Sequence, residues 1–252
     1  MRTYLVGLSL ITLCLFSGNL RGELFDQSRA AGPSPVPILL YHSVSGDQGD
    51  PLKIEPARFE EQMTYLMNEG YHSITFNELR EGWYNGRALP PKPIIITFDD
   101  GYEDNYSAAY PILLRTGMKA TIFAVTGSIG APGRLTWNQL HTMESSGLVD
   151  TQSHTVTHFN LTKLSDEEKM KELVNSRNEI QHKLGHPADV FAYPYGFYDR
   201  RSIDAVQKAG YQLAVITEPG AADVKQGRFK LHRILITGDL TLDQFKGAIT
   251  EL

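Results

Sequence analysis

Cysteine is all but absent: Cys14 is the single copy in 252 residues. No internal disulfide and no cysteine metal cluster can form from one thiol. Basic charge is not in excess either. Lys and Arg number 24 against 29 Asp and Glu, a formal net charge of -5, which argues against nucleic acid as a partner because that needs basic patches. Internal repeats and low-complexity tracts are missing. The apolar run from Tyr4 to Phe16 falls short of an ordinary membrane span, which takes about 20 residues. With Arg2 before it, it fits instead the apolar region of a secretory signal. Ser28 and Ala30 are small residues at the right offset for cleavage but far from that run, and Leu13 is too large for Cys14 to read as a lipoprotein site. Residues 1–21 are therefore expected to be a signal peptide or membrane anchor, 22–35 a linker, and 36–252 the functional domain. The protein is expected to be exported, extracellular or associated with the cell envelope.

What is present is enough for a large core, with hydrophobic residues at 41% and charged residues at 21%. After the linker, short apolar runs alternate with helical patterns. The strands are expected at "PILLY" (37–41), "HSIT" (72–75), "PIIIT" (93–97), "ATIFAV" (120–125), "LVDTQ" (148–152), "VFAYP" (190–194), "LAVIT" (213–217) and "RILI" (233–236). Pro56 opens one helix, with Phe59, Met63, Leu66 and Met67 on one face. Ser165 with Glu168, and Thr136 with Gln139, form capping boxes, and Gly185 closes the longest helix. Alternation of this kind implies a parallel sheet buried on both faces. Seven or eight units suggest a closed or nearly closed α/β barrel, with an open doubly wound sheet as the alternative. In either fold, chemistry belongs at the C-terminal ends of the strands. His42, Asp99, Asp100, Ser153, His154, His158, Tyr195 and Gly196 all follow strands, so four strands deliver reactive groups to one rim.

"HTVTH" places His154 and His158 four apart, and the β-branched residues between them favour an irregular turn over a helix. Two imidazoles and a carboxylate make a three-ligand set, which leaves a catalytic metal one open position. Asp99 and Asp100 end a strand side by side. A helix starting near Tyr102 could use one as its cap. A glycosidase pair would need its carboxyl groups roughly 5–9 Å apart, which neighbours achieve poorly. Division of labour fits better, one carboxylate holding the metal and the other serving as base for the attacking water, since neighbours on a strand point different ways.

"TFDDG", "SHTVTH" and "FAYPYG" resemble, in order and spacing, the first three motifs of the polysaccharide deacetylases, the NodB-like domain of carbohydrate esterase family 4. The resemblance covers roughly residues 36–240. It implies an irregular or incomplete (β/α) barrel of seven or eight strands, with Asp99 as catalytic base. Asp100, His154 and His158 would then hold one divalent ion, zinc in the first place, with cobalt or nickel able to serve. It further implies an oxyanion hole completed by the backbone N–H of Tyr195. Most members carry Arg-x-Pro-Tyr in the third motif; here Ala192 replaces the arginine that orients the base, and Arg233 is the candidate to supply that support. The early "YHSV" and the "FAYPYG" resemble the exported deacetylases of poly-β-1,6-N-acetylglucosamine, whose domain is circularly permuted. The general acid of a Leu-x-His motif then becomes His42 in "LLYH", in preference to His232 in "KLHRI". His72, His141, His182 and His186 read as structural or exposed. The resemblance implies a metal-dependent N-deacetylase of an N-acetylglucosamine polymer, acting as a monomer. A peptidoglycan or chitin-oligomer deacetylase, an O-acetyl xylan esterase and a non-catalytic glycan-binding protein are the alternatives.

Overall fold

The eight expected segments each yield a parallel strand: β1 (Ile38–Tyr41), β2 (His72–Ser73), β3 (Pro93–Asp100), β4 (Ala120–Ala124), β5 (Val149–Ser153), β6 (Val190–Ala192), β7 (Leu213–Val215) and β8 (Ile234–Leu235). The computed structural model describes residues 33–46 and 49–250. The segment expected to direct export, with Cys14, Ser28 and Ala30, lies outside them. No helix among the described residues is long and apolar enough to cross a membrane.

Seven strands run in the order β7-β6-β5-β4-β3-β1-β8, and β2 adds to the start of β3. The sheet curls into a half-barrel, the incomplete barrel that the resemblance implies rather than a closed one, and the open doubly wound alternative is set aside. Its two edges are linked by one stretch of chain. The Leu231 N–H donates to Ala214 O and the Ile216 N–H to Leu231 O, along β7. Three residues later Ile234 and Leu235 pair with Leu39 and Leu40 of β1. Arg233 therefore sits where the chain crosses from one edge of the sheet to the other.

Strand alternation sorts the core into layers. Leu39, Tyr41, Ile94, Ile96, Phe98 and Ile122 face outward. They meet α1 (Pro56–Asn68), α3 (Tyr110–Thr116), α4 (Trp137–Ser145) and α7 (Leu242–Thr250). Ile38, Ile95, Phe123, Val190 and Leu213 face inward, where Phe76, Leu79 and Trp83 of α2 (Phe76–Asn85) fill the interior. The helices α5 (Asp166–Leu184) and α6 (Arg200–Lys208) cover β6 and β7.

The capping boxes at Ser165 and Thr136 and the left-handed Gly185 cap are present, and Thr75 adds a box at α2. Two expectations are corrected. Met67 is 43% exposed, because Phe59, Met63 and Leu66 already fill the stripe and its other flank goes to Gln62, which accepts a 2.7 Å hydrogen bond from the buried Tyr41 hydroxyl. The helix expected near Tyr102 begins instead with a π-helical turn, Asn105–Ala109, leading into α3, so neither Asp99 nor Asp100 is its cap. Of the remaining histidines, His72, His141 and His182 are exposed.

The strands β5 and β6 pair only at Ser153 and Phe191. Below that point side chains replace the ladder. Gln152 Oε1 accepts from the Val190 N–H (2.8 Å), and Glu144 Oε1 accepts from the Thr151 N–H (2.9 Å) and meets His186 Nε2 at 3.0 Å. The hydrogen bond to Glu144, opposed by partial burial, raises His186 to about 9. A folded pKa above the ordinary 6.5 contributes stability in full below pH 6.5, and that contribution is lost as pH rises through about 9. Thermal unfolding midpoints are therefore expected to fall between pH 7 and 10, and to fall less in His186→Gln. Equal slopes in the two proteins would show that this pair carries none of the dependence.

Candidate active site

The site begins at the end of β3. Asp99 points into the barrel and is 2% exposed. Arg233, fully buried, grips both its oxygens: Nη1 donates to Oδ1 and Nη2 to Oδ2, each at 2.7 Å. The guanidinium also donates to Thr97 Oγ1 (3.2 Å) and, through Nε, to Ile216 O (3.0 Å), and lies 5.5 Å from the Phe123 ring centre. Burial works to raise the Asp99 pKa, but Arg233 and then His154 outweigh it, and the group is held at about 2.

Asp100 departs from strand geometry. Neighbours on a regular strand diverge, but Asp100 has φ +73°, and both carboxylates reach the same imidazole: Asp99 Oδ2 lies 3.8 Å and Asp100 Oδ1 3.6 Å from His154 Nε2. The expected divergence therefore gives way to convergence at a left-handed residue.

His154 follows β5 and is buried. Its Nδ1 lies 2.7 Å from Ala192 O, which fixes the ring and leaves Nε2 facing the carboxylates, the usual arrangement for a metal-ligating histidine. Burial, ahead of the nearby charges, lowers its pKa and keeps the ring neutral. The "HTVTH" segment is an irregular turn, as the β-branched residues suggest. Thr155 and His158 have φ +68° and +59°, and the His158 N–H donates to Thr155 Oγ1 (2.8 Å). His158 Nε2 thereby comes to 3.4 Å from Asp100 Oδ1.

These three ligand atoms suit a divalent ion. Donors about 2.0–2.1 Å from a tetrahedral zinc stand about 3.3 Å apart, close to the 3.4 and 3.6 Å seen here. Asp100 Oδ1 is buried with no hydrogen-bond partner among the described residues, and a cation would satisfy it.

His42 follows β1 and lies in the field of Asp99, Asp100, Arg233 and His154; burial, the largest influence, lowers its pKa. His232 instead faces Glu218, Nε2 to Oε2 at 3.3 Å. Tyr195 (φ +60°) packs its ring 4.6 Å from that of His158. The next residue must be glycine, because a Cβ on Gly196 (φ +73°) would collide with Thr217. Four of the five non-glycine residues with positive φ among those described are Asp100, Thr155, His158 and Tyr195. Backbone strain is thus concentrated at this rim, as it often is at functional sites.

Two further side chains support the site. Thr97 braces Arg233. Glu172 on α5 accepts the Val156 and Thr157 N–H groups at Oε2 (both 2.9 Å) and the Thr157 hydroxyl at Oε1 (2.8 Å), and so pins the turn between the two histidines. Neither carries a local signal, since each acts through contacts distant in sequence.

A family model described as polysaccharide deacetylase matches residues 86–214. That stretch contains Asp99, Asp100, His154, His158 and Tyr195 and excludes His42 and Arg233. The chain is 37% identical over 219 residues to the Bacillus subtilis protein YxkH, named for polysaccharide deacetylase, covering 87% of this chain and 77% of that one. It is 26% identical over 215 residues to the poly-beta-1,6-N-acetyl-D-glucosamine N-deacetylase of Staphylococcus aureus, covering 79% and 73%. The Streptococcus pyogenes deacetylase PplD, solved with acetate, superposes with a TM-score of 0.82 at 28% identity, covering 86% of this chain and 99% of that one. With its half-barrel and the motifs on its rim, the chain belongs to the polysaccharide deacetylase family, hydrolases of amide carbon–nitrogen bonds with the NodB-like fold.

Proposed function

We propose that the protein is an exported N-deacetylase that removes acetyl groups from a polymer of N-acetylglucosamine, poly-β-1,6-N-acetylglucosamine in the first place, and acts as a monomer. The N-terminal segment would carry it across the membrane or tether it there. The observation that supports the chemistry best is the juxtaposition of a buried, ionised Asp99 with three converging ligand atoms. The choice of polymer is supported by the likeness to the S. aureus enzyme.

Asp100, His154 and His158 would hold one divalent ion, zinc in preference to cobalt or nickel. When bound, such an ion supplies a Lewis acid for the acetyl carbonyl and acidifies water. Asp99, ionised at any physiological pH, takes the proton from the attacking water. Arg233 orients it, standing in for the arginine that Ala192 replaces. The backbone N–H of Tyr195 stabilises the oxyanion; loss of one such donor costs about 10²–10³ in rate elsewhere. His42 gives a proton to the departing nitrogen, a poor leaving group as an anion. The C–N bond breaks, and the products are acetate and a sugar amine.

Acetate release should be measured side by side on poly-β-1,6-N-acetylglucosamine, peptidoglycan, chitin oligomers and acetylated xylan, with zinc added. Fastest turnover is expected on the first. Faster turnover on peptidoglycan or chitin would reassign the polymer, faster turnover on xylan would make the protein an ester hydrolase, and glycan binding without turnover by zinc-loaded protein would make it a binding protein.

The two aspartates should separate in metal titrations. Asp99→Asn is expected to retain most of the metal and lose turnover, whereas Asp100→Asn should weaken metal binding itself. The reverse pattern would exchange their roles.

Arg233→Met would leave the Asp99 carboxylate buried and unpaired, at a cost of about 3–5 kcal/mol. In the wild type, Asp99 is depressed from 3.8 to about 2, so its contribution is present above pH 3.8 and lost as pH falls through about 2. Denaturant unfolding of Arg233→Met should show the loss at neutral pH. A change below about 1 kcal/mol, the size typical of a surface pair, would mean that Asp99 is not held by this contact.

A further inference from the structure

The strand that ends in Asp99 and Asp100 continues as "GYEDN", and its last two residues turn back toward β1. Gly101 (φ +70°) redirects the chain, and Asp104 and Asn105 enter the π-helical turn. There they meet the segment that leaves β1 at His42. The Ser43 hydroxyl donates to Asp104 Oδ2 at 2.6 Å, and the Val44 N–H donates to Asp104 Oδ1 at 2.9 Å. Asn105 Nδ2 donates to His42 O at 2.8 Å and, at 3.2 Å, to Asp104 Oδ1. Three consecutive residues, His42 to Val44, are thus each held by an adjacent pair of side chains about 60 positions away in sequence.

The grip is strong for its size. Of the three bonds that reach residues 42–44, two run to a carboxylate, and hydrogen bonds to a charged acceptor are roughly twice as strong as neutral ones. Ser43 and Asn105 are each 2% exposed, so water competes little for them. The ring of His42 has no comparable support: its Nδ1 is buried and has no hydrogen-bond partner among the described residues. A general acid is effective only if its proton is placed against the leaving atom, and a 1 Å displacement can cost about 10² in rate. With the ring unsecured at Nδ1, its position depends on the backbone that carries it.

We propose that Asp104, with Asn105 beside it, is a positioning residue for His42. It fixes the backbone at and after His42 to the same loop that carries the base and a metal ligand, so that proton donor, proton acceptor and ligand keep one geometry. This proposal rests on the reading of His42 as the proton donor in the deacetylation.

The test uses full-length, zinc-loaded protein and two acetyl substrates. One is the N-acetylated oligomer that the enzyme turns over, and the other an aryl acetate whose leaving group needs no proton. His42→Ala and His232→Ala establish the reading itself: His42→Ala should lose about 10²–10⁴ in amide turnover with the ester largely spared, and His232→Ala should change neither. Asp104→Asn keeps the shape and removes the charge. It is expected to lower amide kcat by about 10- to 100-fold and ester kcat by no more than about 2-fold, with zinc content unchanged. In the His42→Ala background the same substitution should add nothing, as for two groups acting as one unit. Ser43→Ala, which removes the 2.6 Å bond to Asp104 together with a 2.9 Å hydrogen bond to the Ser45 hydroxyl, should shift the amide-to-ester ratio in the same direction by less, and it carries the test if Asp104→Asn does not fold. Equal losses on amide and ester, an unchanged amide rate, or a full additional loss in the His42→Ala background would overturn the positioning role. If His42→Ala leaves the amide-to-ester ratio untouched, the proton-donor reading fails and takes this proposal with it. If His42→Ala is selective and neither Asp104→Asn nor Ser43→Ala is, the positioning proposal alone fails.

Discussion

A carboxylate sealed inside a barrel is tolerable only with its counter-charge in contact, because an isolated buried ion costs several kcal/mol even after relaxation. Asp99 is sealed in this way, and Arg233 meets both its oxygens. Much of the surrounding architecture follows from that requirement. The half-barrel leaves an interior wide enough for a guanidinium, Phe123 offers it a ring, and Thr97 and the Ile216 carbonyl take two more of its donors. The chain between β7 and β8 passes across the seam from one edge of the sheet to the other at this residue, and that brings the arginine into the barrel. The seam is thus a place where an extra charge can be inserted from one end of the sequence into a sheet built mostly by the other strands.

Most strands were legible because they are short apolar runs closed by a polar residue, the pattern a doubly covered parallel strand imposes; β2 (His-Ser) and β5 (Val-Asp-Thr-Gln-Ser) depart from it. The candidate site's rim was legible for the same reason: polar side chains that close the apolar runs had to lie at the C-terminal ends. Local caps at Ser165 and Thr136 could be read because donor and acceptor are three residues apart. What could not be read was anything that depended on distance. The Glu172 grip on the histidine turn joins residues 15 and 16 apart, and a glutamate on a helix looks like a solvated charge. The place of Arg233 could be suspected only from the gap at Ala192. Alternation also misled at Asp100, since the sequence "DDG" does not say which residue abandons the extended conformation.

The left-handed residues at the rim share a physical origin. A ligand atom can be aimed by rotamer or by backbone, and short side chains such as Asp leave little to the rotamer. Asp100, His158 and Tyr195 are turned by φ instead, at a cost of order 1–3 kcal/mol each. That cost is carried by the surroundings: the Glu172 carboxylate, the Thr155 hydroxyl and the glycine after Tyr195 hold the strained geometry in place.

The crossing at Arg233 has a consequence for the growing chain. The three candidate ligands are all in place by residue 158, and the strand order from β3 to β7 is complete by residue 215. Asp99 nevertheless lacks the guanidinium that meets both its oxygens until residue 233 has been made. A nascent chain that folded early would have to hold that carboxylate protonated or leave the barrel loose. The last strand therefore acts as a late key, and closure of the interior is coupled to completion of nearly the whole polypeptide.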